Sequence, residues 1–256
     1  MILRTSASLR SSEDLKLLLK TQRQIGDLTF VKSNFGEALK ILKETSAICD
    51  AESLELAEVL RIMGHVYRFN FFLEDATSYY MRALEIAKRS GAISLEGRLY
   101  NNLTEVFCWI DQKKAFEFGE KSISINHAIV SPVEEGKTLA ALAIANAFDN
   151  NFAEAVKLAE DSAHIQQNVG YRGGVLFANL ALGIAYALAQ DQTSLEPQIE
   201  KVLSILSELA GEKFSILPLM VTSHRLIDIQ ELRNKCQWLD FDRTLQHLQD
   251  LLPKKS

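Results

Sequence analysis

Cysteine is nearly missing from this chain. Cys49, Cys108 and Cys236 stand far apart in 256 positions. An odd number without close spacing builds neither a disulfide framework nor a zinc site. Reduced thiols fit a cytoplasmic protein. Proline and glycine are scarce too, with 4 and 12 residues, and so few chain breakers favour long helices joined by short turns. No apolar run is long enough for a membrane. The stretch from Val175 to Ala189 contains Asn179 and falls short of the ~20 residues a span needs. Met1 to Arg10 lacks the apolar segment of a signal peptide. An excess of basic residues is also lacking. The net charge is −5 with acids and bases interspersed, which does not suit a dedicated nucleic-acid binder. The expectation is a soluble, cytoplasmic chain with neither a membrane nor a nucleic-acid partner. Its 47% hydrophobic and 24% charged residues exclude wholesale disorder.

What is present is a repeat. A large apolar residue followed by a small one recurs as Ile25-Gly26, Met63-Gly64, Leu103-Thr104, Leu142-Ala143 and Leu182-Gly183, so the small slots are 38 to 40 residues apart. An alanine follows twelve positions later at Ala38, Ala76 and Ala155, and eleven later at Ala115. Leu60, Met63 and Tyr67 make one apolar stripe at helical spacing, and Tyr80 and Ala83 supply a facing stripe after Ala76. Each copy reads as a helix pair, in which the small residue lets the first helix approach its mate and the alanine accepts that approach. Thr45, Ser122 and Ser162 are the matching small residues on other second helices.

This pattern resembles the tetratricopeptide repeat, whose common length is about 34 residues. The copies here are longer, like those of kinesin light chains, Gα-binding scaffolds and bacterial signalling regulators. The resemblance implies an all-α, right-handed α-solenoid of five to six antiparallel helix pairs. The expected repeats are residues 15–51, 53–91, 93–129, 132–169 and 172–211, with a degenerate capping pair at 214–252. Thr104 stands where glycine is usual, Gly119 where a large residue is usual, and the fifth copy lacks a clean alanine slot. Gly91, Gly170 and Gly211 are placed to end second helices. Ser131-Pro132 reads as an N-cap and first helical position, and Pro197 falls in the first turn of a helix beginning near Ser194.

No constellation for chemistry emerges. Gly136-Lys137-Thr138 ends like a phosphate-binding loop. Its leading glycine is replaced by Ser131, and Glu134 and Glu135 would repel phosphate. It reads instead as the opening of a first helix. The histidines at 65, 127, 164, 224 and 247 have no metal-ligand pairing. There is no nucleophile elbow, and neither a cofactor nor a metal is expected.

First helices line the concave surface of such a solenoid, and the resemblance implies that their second stripes contact bound peptides. Repeat one offers Lys20, Arg23, Asp27 and Phe30. Repeat two offers Glu58, Arg61, His65 and Arg68, and repeat three Arg98, Asn101 and Glu105 with Cys108 and Trp109 beyond. Guanidinium groups grip carboxylates, so Arg23, Arg61, Arg68 and Arg98 point to an acidic partner. In repeats four and five the stripe becomes apolar, with Phe148, Phe177, Leu180 and Ile184 placed to receive apolar anchors or a helix of a second copy. The expected function is a scaffold that binds a protein or peptide segment in the groove. The alternative is a sensor module of a signalling or transcriptional regulator that binds a small molecule or signalling peptide. An enzyme ranks below both.

Overall fold

A computed structural model of the chain describes residues 12–31, 35–69 and 72–208. Ten α-helices occupy the described residues, and no strand is found among them. They run as α1 (Ser12–Val31), α2 (Phe35–Ser46), α3 (Leu54–Phe69), α4 (Leu73–Arg89), α5 (Ile93–Ile110), α6 (Gln112–Ala128), α7 (Pro132–Phe148), α8 (Phe152–Asn168), α9 (Arg172–Leu188) and α10 (Gln192–Glu208). The proposed capping pair, with Gly211, lies outside the described residues.

Short turns join the helices, as the shortage of breakers predicts. Gly91 and Gly170 adopt φ values of 64° and 72°. After each, an N–H returns to a carbonyl five residues back: Ala92 to Ala87 at 2.9 Å and Tyr171 to Gln166 at 2.9 Å. This is the glycine-ended helix stop. The turn between α6 and α7 has the same bond, Ser131 to Asn126 at 2.8 Å, but its left-handed position is filled by Val130, with φ 54°. Two helix starts differ from the sequence reading. Pro132 opens α7, yet the Ser131 side chain makes no capping hydrogen bond. The last described helix begins at Gln192 rather than near Ser194, because the Asp191 carboxylate accepts the Ser194 N–H at 3.2 Å. Pro197 therefore lies deeper in the helix than the first turn.

The chain divides into two compact units, Met1–Leu99 and Tyr100–Ser256. In the first, Ala38, Leu42, Val59, Ile62, Met63 and Val66 form a buried cluster. The small slot at Gly64 is required by a close approach. A Cβ there would sit 2.4 Å from the ring of Tyr80, which is itself fully buried.

In the second unit, α7 and α9 are buried nearly all round, from Ala140 to Ala147 and from Ala178 to Ala185. The apparent departure at Gly119 is a complementary fit. A Cβ there would meet the Leu142 side chain at 2.6 Å, so the space given up on α6 is filled from α7. Several buried polar side chains pair with one another or with the backbone, which offsets a desolvation cost of about 1–3 kcal/mol each. Asn126 Nδ2 donates to Ser122 Oγ at 3.0 Å, and Ser122 Oγ lies 2.8 Å from Thr138 Oγ1. Ser162 Oγ donates to the Gly136 carbonyl at 2.6 Å. Gln166 is buried on α8 and donates from Nε2 to the Val133 carbonyl at 2.8 Å. Its side chain fills the space left by Gly136 on α7 and Gly174 on α9.

Candidate functional site

The charged stripe of the first unit is a ladder of ion pairs between successive first helices. Arg23 on α1 donates from Nε to Glu55 on α3 at 2.7 Å. Glu58 on α3 takes two guanidinium groups, Arg61 Nε at 2.9 Å and Arg98 of α5 at 2.7 Å. All of these side chains are half-buried. Burial pushes the Glu58 carboxyl up, but the charges and hydrogen bonds of Arg61 and Arg98 together hold it below its ordinary value. Asp27 on α1 moves the other way: burial raises it despite Arg61 and Arg23 nearby. The arginines expected to grip a partner's carboxylate thus already hold carboxylates of this chain. Arg68 lies with its guanidinium 5.0 Å from the Phe69 ring centre. The Phe30 side chain lies outside the described residues.

His65 sits inside this ladder. Its Nε2 is 2.7 Å from Arg61 Nη1 and its Nδ1 is 2.8 Å from the Tyr80 hydroxyl. The imidazole and the Tyr80 ring meet edge to face, with centroids 5.6 Å apart.

In the second unit a different cluster forms around Asn101, which is buried and faces inward. Asn101 Nδ2 donates to Glu134 Oε2 at 3.1 Å and Glu105 Oε1 at 3.3 Å, and its Oδ1 accepts from Thr138 at 3.1 Å. With its amide so engaged, Asn101 is a packing residue rather than an open contact. Lys137 donates to Glu134 Oε1 at 3.1 Å and lies 5.2 Å from the Tyr171 ring centre. Burial lowers its pKa, but Glu134, Tyr171 and Glu105 outweigh that and raise it, so it stays a cation. The Gly136-Lys137-Thr138 triplet is helical within α7, and its lysine and threonine are occupied by intrachain partners.

The apolar stripe is also corrected. Leu180 and Ile184 are 5% and 1% exposed, because α9 is enclosed on nearly every side. They offer almost no surface to a partner or to a second copy. Phe148 and Phe177 remain half-buried, and Phe148 packs edge-on to Trp109 with centroids 5.7 Å apart.

Sequence reasoning passed over Glu55, Tyr80 and Glu134 as site residues. Glu58 was visible as a stripe residue but not as a bridge. The signal was available: Glu58 and Arg98 are separated by 40 positions, close to the repeat spacing, so opposite charges occupy matching places on adjacent first helices. Among the described residues, no group of three or more His, Cys, Asp or Glu is placed to hold a metal. No described helix is long and apolar enough to cross a membrane.

No protein-family model and no curated protein matches the chain. Solved structures do. A Rap protein complexed with Competence and Sporulation Factor is 13% identical, with a TM-score of 0.67 over 97% of this chain and 78% of that one. BtubC (BKLC) from P. vanneervenii is 16% identical, with a TM-score of 0.57 over 78% of this chain and 84% of that one. A putative kinesin light chain with TPR-like repeats from P. anserina is 16% identical, with a TM-score of 0.53 over 75% and 96%. Helix pairs, small-residue slots and these likenesses agree that the chain has a TPR-like helical-repeat fold.

Proposed function

We propose that this protein is an interaction scaffold that binds a protein or peptide segment along its first helices and performs no chemistry of its own. The observation that carries this reading is the TPR-like fold, shared over 97% of the chain with a Rap protein in complex with Competence and Sporulation Factor. Arg61, His65, Arg68 and Arg98 supply polar contacts on the first unit, and Phe148 and Phe177 supply apolar ones on the second. These side chains are half-exposed rather than sealed in the core. An acidic partner must exchange with Glu58 for Arg61 and Arg98, so charge sets orientation and salt dependence more than affinity.

The experiment is a displayed random-peptide library selected on the immobilised full chain. Enriched peptides should lose binding to Arg98→Glu and Phe177→Asp but keep it for Lys157→Glu, which changes an exposed second-helix residue. Circular dichroism checks that each variant is folded. Peptides that bind all folded variants equally, or no enrichment at all, would overturn the reading.

A further inference from the structure

We propose that the outer face of α1 pairs antiparallel with α1 of a second copy of this chain. The repeat itself defines that face. The small slots at Gly26 and Gly64 fix the register between α1 and α3, so Thr21, Gln24, Ile25 and Leu28 match Val59, Ile62, Met63 and Val66. On α3 these four are buried in the cluster that includes Ala38 and Leu42 of α2, the second helix before it. The same slots on α7, Thr138, Ala141, Leu142 and Ala145, are buried as well. On α1 all four are exposed, Ile25 at 41% and Leu28 at 60%. Leu17, one turn before Thr21 on the same side, is 66% exposed. The opposite side of α1 is taken. Leu19 and Gly26 are buried, and a Cβ at Gly26 would meet the Leu42 side chain at 2.7 Å. The bare side therefore has the place and the spacing to receive another helix.

Its pattern is complementary to itself. Leu17, Thr21, Gln24 and Leu28 are spaced by four, three and four, the seam of a two-helix coiled coil. Run antiparallel about a two-fold axis, the seam sets Leu17 against the partner's Leu28 and Thr21 against the partner's Gln24. On one flank the half-buried Leu18 then meets the partner's Ile25. On the other flank the exposed Lys20 meets the partner's Asp27. Each contact occurs twice, as a two-fold interface requires. A parallel pair would set Lys20 beside the partner's Ile25 and match no opposite charge, so the flanking residues choose the antiparallel sense. The arginines near Asp27 are already bonded, Arg23 to Glu55 and Arg61 to Glu58. Burial opposes the Asp27 charge despite them, and a lysine brought beside it relieves that cost.

A single helix pair is a small interface, so the dimer is reversible and dilution separates it. The pairing does not use the groove reading, and peptide selection does not bear on it.

The test is sedimentation velocity of the full chain over a loading range of about 1 to 300 µM, which brackets a small interface. The expected result is a concentration-dependent monomer–dimer equilibrium. Leu28→Glu should abolish the dimer and leave the circular dichroism unchanged, because the side chain is exposed. Lys20→Glu and Asp27→Lys should each weaken association by roughly tenfold or more, since each sets like charges together twice. An equimolar mixture of these two variants should regain wild-type association, because both charge pairs of the mixed dimer are opposite again. A full chain that is monomeric at every concentration overturns the proposal, and the face then belongs to another occupant, residues 1–11 of the same chain or a different protein. A dimer that survives Leu28→Glu overturns it too, as does a mixture that associates no better than its two components. Should Asp27→Lys fail to fold, Thr21→Cys mixed with Gln24→Cys decides. The antiparallel register requires the mixture to form a disulfide-linked dimer faster than either variant alone, and the reverse order overturns it.

Discussion

Replacing Val130 with glycine will stabilise the second unit. Val130 holds φ 54°, a region that costs an L-residue roughly 1–2 kcal/mol and suits a β-branched one least. Four other turns among the described residues hold the same position: Gly91 and Gly170 fill it with glycine, and Asn150 and Gln190 fill it with unbranched polar residues. The valine side chain is 83% exposed, so removing it forfeits little burial. Glycine's extra freedom in the unfolded chain returns about 0.4–1 kcal/mol. The net gain is about 1 kcal/mol. Urea unfolding should show a midpoint raised by about 0.5 M with unchanged slope, taking a slope of roughly 2 kcal/mol/M. The reverse change isolates the backbone: a Cβ at Gly170 would meet no atom within 4 Å, so Gly170→Val should lose about 1–2 kcal/mol through conformation alone. If Val130→Gly is neutral and Gly170→Val harmless, the left-handed turn does not carry this energy and the reasoning fails.

Three further outcomes are expected. Gly64→Ala should cost about 1–3 kcal/mol by driving a methyl group to 2.4 Å from the Tyr80 ring; a wild-type melting temperature would refute that fit. Leu180→Asp should cost about 4 kcal/mol or more and unfold the second unit, read by circular dichroism and size exclusion, whereas a folded variant would place Leu180 on an open face. Glu58→Gln should cost about 2 kcal/mol at neutral pH, since it removes the charge shared by Arg61 and Arg98. The Glu58 pKa is lowered on folding, so its contribution is present above the unfolded value of about 4.3 and is lost as pH falls through the folded value. The melting difference between wild type and Glu58→Gln should therefore shrink below about pH 4, and a difference constant to pH 3 would contradict the ion-pair account.

Local chemistry made the fold readable. Gly64 opposite Tyr80, and Gly91 and Gly170 at the ends of helices, each do a job that a small or permissive residue does best, so the sequence advertises them. Val130 carried no such signal, because its left-handed conformation is imposed by the turn against the residue's own preference. The Glu58–Arg98 pair could be read from the repeat spacing, but the fate of Arg23 could not. Arg23 and Glu55 are 32 positions apart, and whether a charged stripe faces solvent or the next helix depends on packing that no local pattern encodes. The apolar stripe misled for a related reason. Periodicity places Leu180 and Ile184 on the groove side of α9, but periodicity does not say how closely the neighbouring helices close around that side.

A row of helix pairs that touch only their neighbours can lose its pairs one at a time. Gln166 works against this in the second unit. Opening α7 strips its amide of the Val133 carbonyl, and lifting α9 uncovers the flank that packs on Gly174. Gln166 thus ties α8 to both neighbours, by a hydrogen bond on one side and by close packing on the other, and α7, α8 and α9 should exchange their amide hydrogens as one block. Whatever grips one of these three helices takes hold of all of them.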